Sequence, residues 1–154
     1  MNIARIYPWI CAFLFGALVP ALLAVCFLGI DFFPLVFGIT LGHAVILGLP
    51  IALLFRAKRW TRLVAALAAG FLIGATPIGV LAWPMDFSPG TGASIDGIPT
   101  VIGGIPTATG WLHYCGILGV FGGLGAVGGL IFWITLKYFG VLKAADSPNP
   151  SIAS

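Results

Sequence analysis

His43 is the residue of this chain best placed to do chemistry. It lies in the run GITLGHAVILG and is the only ionisable side chain near the middle of a long apolar stretch. An imidazole in such surroundings can carry a proton or bind a ligand, because ionisable groups at membrane depth are costly and need a partner. The alternative is a neutral imidazole that only bonds to Thr40, to Thr76 or to a backbone carbonyl freed by a proline. The sequence leaves both interpretations open.

No other residues predict a metal, cofactor or catalytic site. The second histidine, His113, lies near the end of an apolar run, not at the depth of His43, so the two do not form an axial pair for haem. The aspartates follow no ligand spacing, and the chain contains neither glutamate nor a CxxC motif. A nucleophile beside a base, or a pair of carboxylates, is not evident either. We therefore expect no metal, no cofactor and no enzyme activity.

The cysteines permit two interpretations. Cys26 and Cys115 are expected at a similar depth near one end of the bundle, where a disulfide between them is possible, whereas Cys11 is expected near the other end. Cysteine is also a small apolar residue that packs well between helices. Nothing in the sequence marks a reactive thiolate, so inert packing is the favoured interpretation.

Composition and the length of the apolar runs predict the fold. Hydrophobic residues make up 60% of the 154 residues and charged residues only 7%, and the mean hydropathy is +1.15. Continuous charge-free runs of about 20 residues cross a bilayer as helices, because lipid offers the backbone no hydrogen-bond partners. We predict an all-α membrane protein, a single four-transmembrane-helix bundle. Its parts are a domain at 1–142, spans at about 7–30, 33–55, 62–85 and 113–137, an outer loop at 86–112 and a disordered tail at 143–154.

The charges predict the direction of these spans. All seven Arg and Lys residues fall on one side of an alternating four-span path, and Asp31, Asp86 and Asp96 fall on the other. Cations near span ends are retained in the cytoplasm, so both termini are expected to be cytoplasmic. The net charge of +3 follows from this topology, and no nucleic-acid partner is expected. Short loops favour a bacterial inner (plasma) membrane.

The fourth span is rich in glycine, with the sequence CGILGVFGGLGAVGGLIF. Glycine lets helix backbones approach closely and gain dispersion contacts, so these positions form a candidate helix-packing interface. Packing within the bundle alone is one explanation, and contact with a second copy or a membrane-protein partner is the other. The candidate residues are Gly116, Gly119, Gly122, Gly123, Gly125, Gly128 and Gly129.

The outer loop contains a tandem repeat, GIPTVIG at 97–103 followed by GIPTATG at 104–110. Turn residues centred on proline predict a hairpin or a re-entrant cap, and a duplicated spacer is the alternative. Long loops in compact proteins are often functional. The candidate outer contact residues are Ile98, Pro99, Ile105 and Pro106.

These features favour a non-enzymatic membrane protein that acts on a protein partner through helix packing and its outer loop. Accessory subunits, assembly factors and toxin-immunity proteins are of this kind. The alternative is a small oligomeric transporter or channel for a neutral solute, which would rely on His43 and on prolines within the spans. Coupled transport by a buried glutamate is excluded, because the chain has no glutamate.

Overall fold

The computed structural model describes residues 6–58, 62–85, 90 and 92–142, with the side chains of residues 55–58 left out. These described residues are mostly helical, at 78%. The described part contains four helices that are long and apolar enough to cross a membrane, as the sequence predicts. The predicted tail at 143–154 lies outside the described residues. These four helices are Tyr7–Leu28, Ile30–Leu54, Leu63–Leu81 and Ala108–Tyr138.

Helix α1 (Tyr7–Leu28) turns tightly into the second span. Pro8 lies in its first turn, where a missing N–H costs no helical bond. Gly29 follows the helix with φ of 98°, a conformation that glycine adopts without strain, and its N–H donates to the carbonyl of Val25 at 2.8 Å. A 3-10 turn at Ile30–Phe32 completes the reversal. The first two spans are therefore antiparallel neighbours with a very short connection.

The second span is interrupted near its middle. It consists of α2 (Phe33–His43), a π-helical segment (Ala44–Gly48) and α3 (Leu49–Lys58). Pro50 explains the interruption, because it has no N–H to donate four residues back and its ring crowds that carbonyl. A π segment absorbs such a mismatch within a continuous helix. His43 is the last residue before this segment.

Helix α5 (Ala108–Tyr138) is the central element. It packs against α4 (Leu63–Leu81) and α1, whereas α2 packs mainly against α1. Its 31 residues correspond to a length of about 46 Å at 1.5 Å per residue. Because α5 begins at Ala108, residues 108–112 of the predicted outer loop are helical. The buried apolar residues are mostly alanines, which keeps the axes of the helices close.

The prediction of an all-α chain is wrong in one respect, because the outer loop forms a small antiparallel sheet. Strands β1 (Gly92–Ile95), β2 (Ile98–Ile102) and β3 (Ile105–Pro106) pair in sequence order. Two-residue turns join them, at Asp96–Gly97 and at Gly103–Gly104, and all four turn residues have positive φ. This backbone is that of type I′ hairpins. Each GIPT copy therefore begins on the second residue of a turn and continues as a strand.

Thr107 joins the sheet to α5. It is the N-cap of the helix, and its hydroxyl oxygen accepts from the N–H of Gly110 at 3.1 Å. The same hydroxyl donates to the carbonyl of Pro99 at 2.8 Å. The N–H of Thr107 donates to the carbonyl of Thr100 at 2.9 Å. One residue therefore satisfies an orphan N–H of the helix and secures the first repeat copy to the second.

An aromatic cluster closes the same end of the bundle. Trp83, Trp111 and Tyr114 contact one another edge to face, with centroid distances of 5.9 to 6.0 Å. The hydroxyl of Tyr114 donates to the carbonyl of Gly79 at 2.8 Å. That carbonyl belongs to the last turn of α4, where no later N–H of the helix is available to donate to it. The cluster therefore holds the end of α4 against the start of α5.

We predict that Thr107→Val loosens the outer sheet. Loss of an N-cap costs about 0.5–2 kcal/mol, so amide hydrogen exchange in β2, β3 and the first turn of α5 should accelerate by about 2- to 30-fold. The matched control is Thr109→Val, an exposed threonine in the same turn. Equal exchange rates in the two variants would contradict the role of Thr107.

Candidate functional site

Four of the seven candidate glycines are in close contact with other helices. A Cβ on Gly125 would overlap the carbonyl oxygen of Gly70, and a Cβ on Gly70 would overlap that of Gly125. Gly129 has the same relation to the carbonyl of Ala66. These contacts require glycine, because any larger residue would force the α4 and α5 backbones apart. Gly122 and Gly128 complete this set, with added Cβ atoms 2.5 Å from Phe71 and 2.7 Å from Gly16.

The other three candidate glycines have open space beside them in the described chain. An added Cβ on Gly116, Gly119 or Gly123 would meet no heavy atom within 4 Å. We call these three residues the uncovered α5 face. Gly119 and Gly123 have GxxxG spacing, and Gly116 lies one turn earlier, so the three share one side of the helix. Their period-three spacing places the seven candidate glycines on more than one face of the helix, and in the structure four of them pack against other helices while these three do not.

His43 forms its hydrogen bond within its own helix. The ring Nδ1 lies 2.7 Å from the carbonyl oxygen of Ile39, one turn earlier. The partners considered from the sequence are occupied elsewhere: the Thr40 hydroxyl lies 3.0 Å from the carbonyls of Val36 and Phe37, and the Thr76 hydroxyl donates to Leu72 at 2.6 Å. A carbonyl can only accept, so Nδ1 carries the proton. In the neutral ring, Nε2 is then a free acceptor.

An apolar cavity of about 510 Å³ lies among the four spans. Residues of α1, the second span, α4 and α5 line it, and the only polar side chains among them are Thr40 and His43. It exists because the second span packs on α1 and stands away from α5. Small residues such as Ala17, Gly48 and Ala69 leave the space open.

The outer-loop candidates do not share one surface. Ile98 pairs with Ile95 and Ile102 pairs with Ile105, and directly opposed residues lie on the same face of a sheet. The register shifts by one residue between Ala93 and Ser94, which places these two pairs on opposite faces. Ile105 is 69% exposed and Ile98 is 54% exposed. Pro99 is exposed as well, whereas Pro106 is buried.

Ile102 is a residue that the sequence reasoning missed. It is 63% exposed and forms, with Ile105, an apolar cross-strand pair. The dipeptide Gly103–Gly104 is the signal that could have found it, because a two-residue turn makes its flanking residues direct neighbours.

The cysteines and the remaining ionisable residues form no recognisable centre. Cys11, Cys26 and Cys115 are free thiols, and the last two are exposed. The thiol of Cys26 donates to the carbonyl of Leu22 at 3.3 Å. Within residues 6–58, 62–85, 90 and 92–142, no three His, Cys, Asp or Glu residues gather into a set able to hold a metal ion. His113 is an exposed residue of α5.

In comparisons with known proteins, no family model, no curated protein and no solved structure matches the chain. A proposal for its function therefore rests on the contacts within the molecule. Three features stand out: the uncovered α5 face, the cavity that contains His43, and the exposed Ile102–Ile105 pair.

We predict opposite effects for the same substitution on the two sides of α5. Gly125→Ala should lower the free energy of unfolding by about 1–3 kcal/mol, because the new methyl group overlaps the backbone of α4. Gly119→Ala should raise it by up to about 1 kcal/mol, because alanine favours a helix over glycine and has open space here. Thermal or denaturant unfolding in detergent micelles measures both. Similar stabilities for the two variants would contradict the division of the glycines.

Proposed function

We propose that this protein is a non-enzymatic subunit of the bacterial inner membrane. In this proposal its four helices cross the bilayer with both termini in the cytoplasm. The uncovered α5 face packs against a transmembrane helix of a partner protein, and the outer sheet contacts the same partner outside the bilayer. Accessory, assembly and toxin-immunity proteins work by contacts of this kind.

The apolar exterior of the helices supports a membrane location. Large hydrophobic side chains face outward along all four spans, including Phe27 at 90%, Ile46 at 72% and Leu81 at 82% exposure. Soluble monomers rarely expose apolar patches beyond a few hundred Å². Helices that are hydrophobic all round belong in a large core or in lipid. Within the described residues the buried apolar side chains are mostly alanines, which do not form a core of that size.

The uncovered α5 face is the observation that supports the partner contact best. Glycine in the middle of a helix costs about 1 kcal/mol relative to alanine. The inner glycines offset this cost by allowing close helix contact, but Gly116, Gly119 and Gly123 have no such contact within the described chain. A partner helix lying on these residues would gain the dispersion contacts that a small-residue surface permits.

The outer sheet lies at the end of α5 from which this face extends to the middle of the helix. Gly116 and Gly123 lie 8 and 15 residues along α5 from Ala108, or about 12 and 23 Å from its start. The Ile102–Ile105 pair lies on the strands that immediately precede the helix. A partner with a transmembrane helix and an outer segment can therefore contact both surfaces at once.

Solute transport receives less support from the same geometry. The cavity lining is apolar apart from Thr40 and His43, and both side chains already bond to carbonyls. Those side chains leave few acceptors, so a neutral polar solute with several hydrogen-bonding groups would lose most of its hydrogen bonds to water there, which costs several kcal/mol. This lining therefore favours partner binding over solute transport.

We predict that the topology can be read with reporter fusions. Green fluorescent protein at the C-terminus should fluoresce, and alkaline phosphatase at the same position should be inactive, because the cations hold that end in the cytoplasm. Alkaline phosphatase inserted between Gly103 and Gly104 should be active, because this turn is expected outside. The reverse pattern would contradict the proposed orientation.

The partner contact is tested by crosslinking in native membranes followed by mass spectrometry. We expect a product that joins this chain to a different membrane protein. Gly119→Leu should reduce its yield by about 5- to 150-fold, because a large side chain in a close helix contact costs about 1–3 kcal/mol. Ala68→Leu, an exposed position on α4, should leave the yield unchanged.

Two outcomes would overturn the proposal. Recovery of the uncrosslinked monomer alone would argue against any partner. A product that contains only copies of this chain would show self-association in place of a separate partner protein.

A further inference from the structure

The hydrogen-bonding groups of the apolar cavity are all of one kind. The Nδ1–H of His43 is used by the carbonyl of Ile39, which leaves Nε2 as an acceptor. The hydroxyl oxygen of Thr40 lies 3.0 Å from two backbone carbonyl oxygens of its own helix and 3.4 Å from the carbonyl oxygen of Ala17, so its proton is donated to these carbonyls. Only the lone pairs of its oxygen remain available, and they can accept a hydrogen bond. Both polar side chains of the lining therefore offer acceptors, and neither has a donor to spare.

The prolines of the cavity add to this bias. Pro20 in α1 and Pro77 in α4 line the same space. Each lacks an N–H, so the carbonyl four residues earlier, at Gly16 and at Ile73, loses its helical donor. Gly16 and Ile73 line the cavity as well. Of these two carbonyls, that of Gly16 packs against the backbone of Gly128, which leaves the Ile73 carbonyl as the candidate further acceptor.

The lining excludes several classes of occupant. Among the residues that the structure describes, no lysine, arginine or carboxylate lines the cavity to neutralise an ionic headgroup. Ketones, esters and ethers only accept hydrogen bonds, and the cavity has no side-chain donor for them. A buried water usually makes about three hydrogen bonds, and only two polar side chains, Thr40 and His43, line this cavity among the described residues. An apolar molecule with one hydroxyl group matches both the acceptors and the hydrocarbon lining.

Volume and position agree with a small-molecule site. The cavity's volume of about 510 Å³ falls within the range of about 300–1,000 Å³ that is usual for ligand pockets. His43 borders the π-helical segment Ala44–Gly48, and such segments are frequent at functional sites.

We propose that this cavity binds an uncharged, lipid-soluble alcohol or phenol, whose hydroxyl group donates a hydrogen bond to Nε2 of His43. The hydrocarbon body of the ligand lies among the small and aromatic residues of α1, α4 and α5. This site is separate from the uncovered α5 face, so it does not depend on the partner contact proposed above.

The test uses the full chain in lipid nanodiscs and a long-chain alkanol that carries a photoactivatable diazirine. Unlabelled alkanol and its methyl ether compete with the probe, and mass spectrometry locates the labelled residues. We expect labelling of cavity residues and about 2- to 12-fold stronger competition by the alkanol, which is the effect of one net hydrogen bond. The ether has the same hydrocarbon body but no donor, so it isolates that bond.

Two comparisons locate the site: His43→Phe with the unmodified chain, and Ala69→Leu with Ala68→Leu. His43→Phe keeps a ring and removes both nitrogens, so the ratio of alkanol to ether competition should fall to about one while labelling persists. Ala69→Leu fills the cavity and should abolish labelling of its residues. Ala68→Leu on the neighbouring, exposed position does not line the cavity and should leave labelling unchanged.

Three results would overturn the proposal. Equal competition by alkanol and ether in the unmodified chain would show that the ligand donates no hydrogen bond in the cavity, whatever the variants do. Labels confined to outward-facing residues would show contact with bulk lipid only. Cavity labelling that survives Ala69→Leu as fully as Ala68→Leu would place the probe elsewhere.

Discussion

The backbone contact between α4 and α5 is the constraint on which the rest of the structure depends. Gly70 and Gly125 meet with no room for a side chain on either, and Gly74 and Gly129 extend the contact in both directions. In helices that are apolar all round, hydrophobicity alone cannot select a neighbour. Close approach of backbones can, because the dispersion energy of many atom pairs depends steeply on distance. This contact therefore decides which helix lies at the centre.

The loose packing of the second span follows from the contact between α4 and α5. With α4 and α1 held against α5, the second span has only α1 as an extensive neighbour. Small residues on the inner sides then leave a cavity in place of a filled core. Pro50 and the π-helical segment lie in the same span, so the least constrained helix is also the least regular one. The only histidine at this depth lies where these features meet.

The outer sheet shows how a short repeat becomes a structured end. Each GIPT copy contributes one turn residue and one strand, and Thr107 then serves the sheet and the helix together. A Cβ on Gly110 would overlap the carbonyl of Thr100, so the sheet lies directly on the first turn of α5. The duplicated spacer considered from the sequence is thus an ordered cap with an exposed isoleucine pair.

The sequence by itself determined the four long apolar helices, because continuous hydrophobic runs are a local property of the chain. The turn residues Asp96–Gly97 and Gly103–Gly104 are equally local, since positive φ is a property of single residues. Which of the seven α5 glycines are covered depended on the rotation of that helix against α4 and α1, and the period-three spacing fits several rotations. That rotation depends on distances between segments that are remote in sequence, and no local pattern encodes those distances. The bond from His43 to Ile39 and the register shift in the sheet involve residues close in sequence, but several local arrangements fit the same residues, so the structure was needed to choose among them.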